Sequence, residues 1–483
     1  MSGRLSDEPG DGRQEAAQER ESSGSDDGSL SAEVYLLTTA GVAAIAGFLY
    51  GYDTGIISGA LLQITADFGL DHRAQELVTS AILVGAVIGA LGCGKLSGLI
   101  GRRYTIMVVA AIFALGVICS GLAPSAFWLG ASRLLLGCAV GGASQIVPVY
   151  IAELAPAEKR GRLVTFFNIS IGVGILTAGV VGAFLQAYWS WRVMFAVAAI
   201  PAMILLLGMI KLPESPRWLV GQRRVREARE ALGMVRETDR EVRRELRSIE
   251  KTSKRTAKER QLGWRELRKP WLRPALIAGL GVAAFTQLSG IEMMIYYTPT
   301  FLTDAGFSHQ GALYSALGVA GIYLVMTILG KLVVDHLGRR RLCLLMMPGA
   351  VLSLLVLGAV FQFGADGPQT SWLIVASLFA FMVFNAGGIQ VIGWLIGSEV
   401  YPLSIREKAT SLHAAMLWGS NLLLTGTALT MVNLLGIGGA MWFYAGLNVL
   451  GFLFIFLLVP ETKGKSLEEI ENELKEGTFR PTR

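Results

Sequence analysis

The sequence predicts an all-α membrane protein: twelve transmembrane helices arranged as two pseudo-symmetric six-helix halves. Hydrophobic residues make up 52% of the 483 and charged residues only 17%, with a mean hydropathy of +0.51. A soluble globular chain carries roughly a quarter of its residues charged. Three polar stretches, residues 1–33, 212–273 and 460–483, bracket two long apolar blocks, residues 34–211 and 274–459. The two blocks also carry the same punctuation in the same order.

Gly, Pro and charged residues divide each block into six runs long enough, at about 20 residues, to cross a hydrocarbon core as helices. The expected helices are 35–60, 74–97, 104–123, 126–151, 163–186 and 191–211, then 274–301, 311–333, 341–363, 371–397, 408–432 and 439–459. Residues 1–33 are acidic and rich in Gly and Ser, with no apolar core. That pattern excludes a cleaved signal peptide and predicts a disordered tail. The segment 212–273 alternates Arg with Glu at helical spacing (VREARE, EVRRELRSIEK). Short surface helices fit it, and a solvated linker with scattered ion pairs is the plainer alternative.

Lys and Arg set the orientation, because short cytoplasmic loops collect them. Arg102 and Arg103, Lys159 to Arg162, Arg339 to Arg341, and Arg406 with Lys408 fall in alternate loops, on the side of the central segment; the other loops hold only Arg73 and Arg192. Both termini and the linker are therefore expected in the cytoplasm, with the helices in the cell membrane. The net charge of +6 is small and unevenly placed, and it does not indicate a nucleic-acid partner. Cys93, Cys119, Cys138 and Cys343 lie in or beside apolar runs without paired spacing, which suits free thiols. His72, His309, His336 and His413 form no ligand cluster, and no nucleotide loop or nucleophile motif is present. Neither an enzyme nor a metal or cofactor protein is expected.

The repeat is explicit. GRR recurs at 101–103 and 338–340, Glu153 and Glu399 each precede an arginine (Arg160, Arg406) by seven residues, and PESPR at 213–217 closes one block as PETKG at 460–464 closes the other. Two parallel six-helix units around a midplane cavity are the architecture of a rocking transporter.

From about Val34 to Ile470 the chain resembles the sugar porter family of the major facilitator superfamily. The carriers are GYDTGIISGA (51–60), RLLLGCAVG (133–141), PVYIAELAPAEKRGRLV (148–164), PESPRWL (213–219), QLSGIEMMIYYTP (287–299), DHLGRRR (335–341), SEVYPLSIREKA (398–409) and PETKGKSLEEIE (460–471). The resemblance implies alternating access gated at the cytoplasmic ends by Arg102, Glu153, Arg160, Asp335, Arg339, Glu399 and Arg406. Arg160 and Arg406 are expected to pair with Glu399 and Glu153 as a latch that must break when the cavity opens inward. The first half departs from the pattern, with Gly98 and Leu99 where an Asp-Arg pair is usual; Glu407 replaces the Gly usual after Arg406.

The same resemblance places Gln287, Tyr296, Tyr297, Trp394, Trp418 and Asn421 at family-like substrate positions, where amides bond ring hydroxyls and indoles stack on sugar faces. Departures are Asn168 for Gln, Thr286 for Gln, Glu292 for Asn, Leu417 for Gln, and Gln390-Val391 for Gly-Pro. Glu292 is expected to face the cavity, bonding hydroxyls if neutral and an amino group if charged; a carboxylate at the wet edge is the alternative.

Asp53 lies inside an apolar run and Arg133 opens a small-residue helix. An unpaired charge at the bilayer centre costs at least ~2.5 kcal/mol, so the two should face inward and meet. Gly51, Gly55 and Gly59 would give one helix face close access to a neighbour. In the resembling family an Asp here marks proton-coupled members, which implies symport of a monosaccharide or polyol with a proton, by a functional monomer. Facilitated diffusion and a non-transporting sugar sensor are the alternatives. For His413 a packed imidazole and a proton relay both remain open.

Overall fold

The computed structural model describes the chain outside residues 1–11, 157–158, 187, 260–263, 365–366, 403–404, 466 and 482–483, and omits some further side chains, chiefly those of residues 12–31. Among the described residues, eleven helices are long and apolar enough to cross a membrane. They are span 1 (Ala32–Phe68), span 2 (His72–Ile100), span 3 (Arg102–Gly121), span 4 (Ala126–Leu154), span 5 (Arg160–Leu185), span 6 (Trp191–Ile210), span 7 (Pro270–Asp304), span 8 (His309–Leu337), span 9 (Arg339–Phe363), span 10 (Pro368–Glu399) and span 12 (Ala428–Leu458). Span 11, the 20-residue helix Arg406–Thr425, completes the twelve; its apolar run is diluted by His413, Ser420 and Asn421. The chain is a multi-pass membrane protein.

The first helix extends back to Gly12, so backbone expected as a disordered tail is helical from residue 12 onward. The strong helix formers of RQEAAQERE explain its first turns. Residues 1–11 lie outside the described residues.

Three spans break where the sequence reading expected continuous helices. Span 7 divides at Gly290, which sits at φ 97 between Arg273–Leu288 and Ile291–Asp304. Span 10 divides at Gly387 and Gly388, between Pro368–Ala386 and Ile389–Glu399. Span 6 divides between Ala196 and Ala199. Helices interrupted at membrane depth free backbone groups that only a protein-lined interior can satisfy.

Within each half the helices approach at glycines. A Cβ on Gly51 would lie 1.9 Å from the Ile171 carbonyl oxygen, and one on Gly55 2.7 Å from Ala178 Cβ, so spans 1 and 5 touch backbone to backbone. Gly85, Gly137 and Gly141 close spans 2 and 4 in the same way. Between halves the seams run along spans 1 and 7, 2 and 11, and 5 and 8.

The linker folds as Pro216–Gly221, Val225–Gly233 and Asp239–Glu259. It is more than a solvated tether: Leu219, Ala228, Leu232, Val242 and Ile249 bury a small core of their own. Arg236 ties it to the membrane domain, pairing with Glu245 at 2.6 Å and donating to the Leu154 carbonyl at 2.9 Å.

The repeated motifs meet in space. Spans 3 and 9 start at a glycine in the left-handed region, Gly101 at φ 96 and Gly338 at φ 95. Their exposed first N–H groups need acceptors. Glu214 of PESPR accepts from the N–H groups of Arg102 (2.8 Å) and Arg103 (3.2 Å), and Glu461 of PETKG accepts from those of Arg339 (2.8 Å) and Arg340 (3.1 Å). Burial pushes the Glu214 carboxyl above its ordinary range, against the pull of these donors. A Cβ on Gly101 would sit 2.2 Å from Glu214 Oε2. Gly101→Ala should therefore lose about 1–3 kcal/mol through strain, read as a lower melting midpoint in detergent. Gly98→Ala, whose Cβ meets nothing within 4 Å, should leave the midpoint unchanged or raised.

Candidate functional site

Two charges lie fully inside the first half. Arg133 of span 4 is 0% exposed and Asp53 of span 1 is 2% exposed, with Nη1 and Oδ1 3.5 Å apart. Arg133 Nε donates to the Val78 carbonyl of span 2 at 3.1 Å, and its guanidinium lies 5.8 Å from the Phe195 ring of span 6. Both Asp53 oxygens and both Arg133 Nη atoms are buried without a hydrogen bond. The pair is electrostatic and loose, and a small movement of either helix would part it.

A polar row continues from this pair across the seam. Tyr296 lies within electrostatic reach of Asp53, Arg133 and Glu292. Glu292 sits in the first turn after the Gly290 break, 4% exposed, and its Oε2 lacks a partner. Around it stand Tyr50 from span 1 and Tyr323 from span 8. Gln287, one turn before the break, also has an unpartnered Oε1. Tyr297 donates to the Thr425 carbonyl (3.2 Å), and Thr425 donates to Asn421 Oδ1 (2.8 Å). Trp418 stacks against Tyr50 at 5.4 Å and donates across the seam to Ser144 at 3.3 Å.

Gln287, Glu292, Tyr297, Trp418 and Asn421 therefore gather at the seam. Trp394 stands apart, 6.5 Å from the His413 ring, and Asn168 is half-buried on span 5 outside this network. His413 Nε2 faces the Gly393 carbonyl at 2.7 Å and Nδ1 faces the Tyr401 hydroxyl at 3.1 Å. A carbonyl only accepts, so Nε2 carries a proton, and both ring nitrogens have partners. Tyr50 and Tyr323 went unnoticed in the sequence because aromatics in apolar runs look like ordinary core. Lys331, a charge inside the run TILGKLVV, gave the same signal as Asp53 and was missed.

The latch expected between halves, one that must break when the cavity opens inward, is not formed in this conformation. Glu153 pairs with Arg102 of its own half, at 2.8 Å, and accepts from the Ser215 hydroxyl. Glu399 pairs with Arg339 of its own half, at 2.7 Å, and accepts from the Thr462 hydroxyl at 2.6 Å. Asp335 joins the second cluster, 3.0 Å from Arg339. Arg160 and Arg406, expected on Glu399 and Glu153, instead turn back to the Ala152 and Ser398 carbonyls that precede them. The glycine turns at 101 and 338 explain this, since they deliver the first arginine of each GRR beside the glutamate of its own half.

At the opposite end side chains join the halves. Glu76 of span 2 accepts from both the N–H and the hydroxyl of Thr430, each at 2.6 Å, at the start of span 12. His72 meets Asn433 at 2.8 Å and Asp304 at 3.5 Å. Gln310 donates to the Ala183 carbonyl at 2.6 Å. This end of the seam is closed.

Twelve membrane helices in two similar halves, with polar groups gathered at the seam between them, define a membrane transporter. The family model for the sugar (and other) transporter family matches residues 39–474, and the chain belongs to that family. It is 36% identical to the D-xylose transporter of Levilactobacillus brevis, covering 90% of this chain and 95% of that one. It is 35% identical to the galactose-proton symporter of Escherichia coli strain K12, over 90% and 94%. The structure of the xylose transporter XylE from E. coli in a partially occluded inward open conformation aligns with a TM-score of 0.76 at 27% identity, over 90% and 100%. These relatives are transporters, not enzymes.

Two outcomes follow from this geometry. In a double-mutant cycle on thermal stability, Glu153→Gln and Arg102→Ala should couple by about 1–2 kcal/mol, whereas Glu153→Gln and Arg406→Ala should add independently. Glu76→Ala should loosen the closed end and raise labelling of a cysteine placed at Ser58, in a cysteine-free background, severalfold; unchanged labelling would remove Glu76 from the seal.

Proposed function

We propose that the protein is a proton-coupled symporter of a monosaccharide or polyol in the cell membrane, active as a monomer. By the distribution of Lys and Arg, its termini and linker lie in the cytoplasm. The closed end then faces outside, and the described conformation is one shut to the exterior.

The observation that carries the reading is the buried, loosely held pair of Asp53 and Arg133. A carboxylate without hydrogen bonds in a dry interior is a proton acceptor waiting on its partner's distance. Protonation of Asp53 cancels its attraction for Arg133, which stays anchored on the Val78 carbonyl, and lets spans 1 and 4 shift. Separation of the two favours the neutral carboxyl and approach favours the ionised one, so proton uptake and release follow the movement of the halves. The galactose-proton symporter among the relatives supports the coupling.

The solute is held at the seam by Gln287, Glu292, Tyr297, Trp418 and Asn421, with Trp394 and Asn168 at its margins. The clamps of Glu153 on Arg102 and of Glu399 on Arg339, with Asp335, keep each half rigid, and Arg160 and Arg406 act at the same ends when the inner side closes.

One proton per solute under ~100 mV supplies about 2.3 kcal/mol, enough for roughly fifty-fold accumulation. Asp53→Asn should abolish gradient-driven accumulation in liposomes while solute exchange continues. Undiminished concentrative uptake by that variant would sink the coupling role, and a wild type indifferent to the proton gradient would make the protein a facilitator.

A further inference from the structure

One charge at membrane depth has no part in this scheme. Lys331 of span 8 buries its Nζ without a hydrogen-bond partner, and among the described residues no carboxylate pairs with it. It stands seven residues before Gly338 at the Arg-rich end. A lysine so placed ordinarily lays its stem along the helix and carries the ammonium to water. Here the stem is part-exposed and the head is turned into the protein.

The register of the seam shows the level at which residue 331 stands. Span 8 meets span 5 with Leu317 on Gly179 and Leu324 on Gly172. These steps are seven residues in opposite chain directions, or two helical turns. The next step brings Lys331 to the level of Thr165, one turn from Asn168. One turn earlier on span 8, Thr327 Oγ1 is buried, and from span 10 Gln390 Oε1 is buried as well. Tyr323 reaches both. Gly330 packs against the Gly387 carbonyl and Val391, which holds span 8 close to the segment carrying Gln390. Tyr323, Thr327 and Lys331 thus follow one another at four-residue steps along span 8, and Tyr323 links this row to Gln390 and Glu292.

We propose that the transported solute is a sugar acid, an aldonate or a uronate, whose carboxylate is received by Lys331 and whose hydroxyls are received by Thr327 and Gln390. This rests on the reading of the protein as a sugar or polyol symporter and names the class of its solute. A neutral sugar would leave the ammonium unpaired in the low-dielectric interior, whereas a carboxylate pairs with it and brings hydroxyls to the two neutral groups. The charge balance differs as well. One monoanion moving with one proton carries no net charge, so uptake follows the pH gradient and ignores the membrane potential; a neutral sugar with a proton is driven by both.

The full-length protein in liposomes would be given labelled D-gluconate, D-glucuronate, D-xylose, D-glucose and myo-inositol under an imposed pH gradient, with and without a potassium diffusion potential. The acids should enter at least tenfold more efficiently than the neutral solutes, at a rate the potential does not change. Lys331→Gln should lose that tenfold preference and Lys331→Arg should keep it. The wild-type panel decides even if Lys331→Gln fails to fold. Wild-type uptake of neutral solutes without the acids would overturn the sugar-acid assignment and leave the symporter reading standing. Retained acid preference in Lys331→Gln would remove Lys331 from the site, and a wild type that moves neither class would overturn both readings.

Discussion

A charge held at membrane depth must be answered by the protein itself, since hydrocarbon provides neither counter-ion nor hydrogen bond. Much of this structure follows from that constraint. Arg133 is fully buried, and spans 1, 2 and 6 surround it with Asp53, the Val78 carbonyl and the Phe195 ring. For those helices to converge, backbones must come close, and Gly51, Gly55, Gly85, Gly137 and Gly141 remove the side chains that would hold them apart. Small residues and buried charges in this chain are therefore two sides of one packing solution.

The same constraint separates what is rigid from what can move. Inside each half helices touch backbone to backbone at glycines, and the ion pairs at the arginine-rich ends are short, as in Glu153 with Arg102 and Glu399 with Arg339. Each of these pairs is locked by a glycine turn and a capping glutamate, Glu214 or Glu461. Between halves the joints include side-chain hydrogen bonds, most of those named lying at one end around Glu76 and His72, with Trp418 on Ser144 further along the seam. Each half-and-half contact of this kind can be broken without unpacking a core. Such a division of labour suits two bodies that pivot about a shared seam, with the unsatisfied groups of Gln287 and Glu292 lying between them.

Glu292 shows how a single residue can change the character of the seam. It stands at the first turn after the helix break at Gly290, where backbone N–H groups are free and a carboxyl is favoured by the local dipole. Surrounded by Tyr50, Tyr296 and Tyr323, it has phenolic hydroxyls rather than cations for neighbours. Lys331 follows Tyr323 by eight residues on span 8, and the proposed solute site would extend the polar row from this acid toward an amine.

The number of spans, the division into halves and the burial of Asp53 were legible in the sequence, because they depend on composition and on the cost of placing charge in lipid, both local properties. The repeated GRR, Glu and PE motifs were legible as a repeat. Their pairing was not. Nothing local distinguishes Arg102 from Arg406 as the partner of Glu153; in this conformation the choice is made by Gly101, whose left-handed turn starts span 3 beside the end of span 4. Nor could the sequence show that PESPR and PETKG cap the helices begun by GRR, since those contacts join residues more than a hundred positions apart. The breaks in spans 7 and 10 likewise depend on which glycines the packing forces out of helical geometry. Hydropathy is summed along one segment, whereas the choice of partner is made where several segments meet, and only the tertiary structure brings them there.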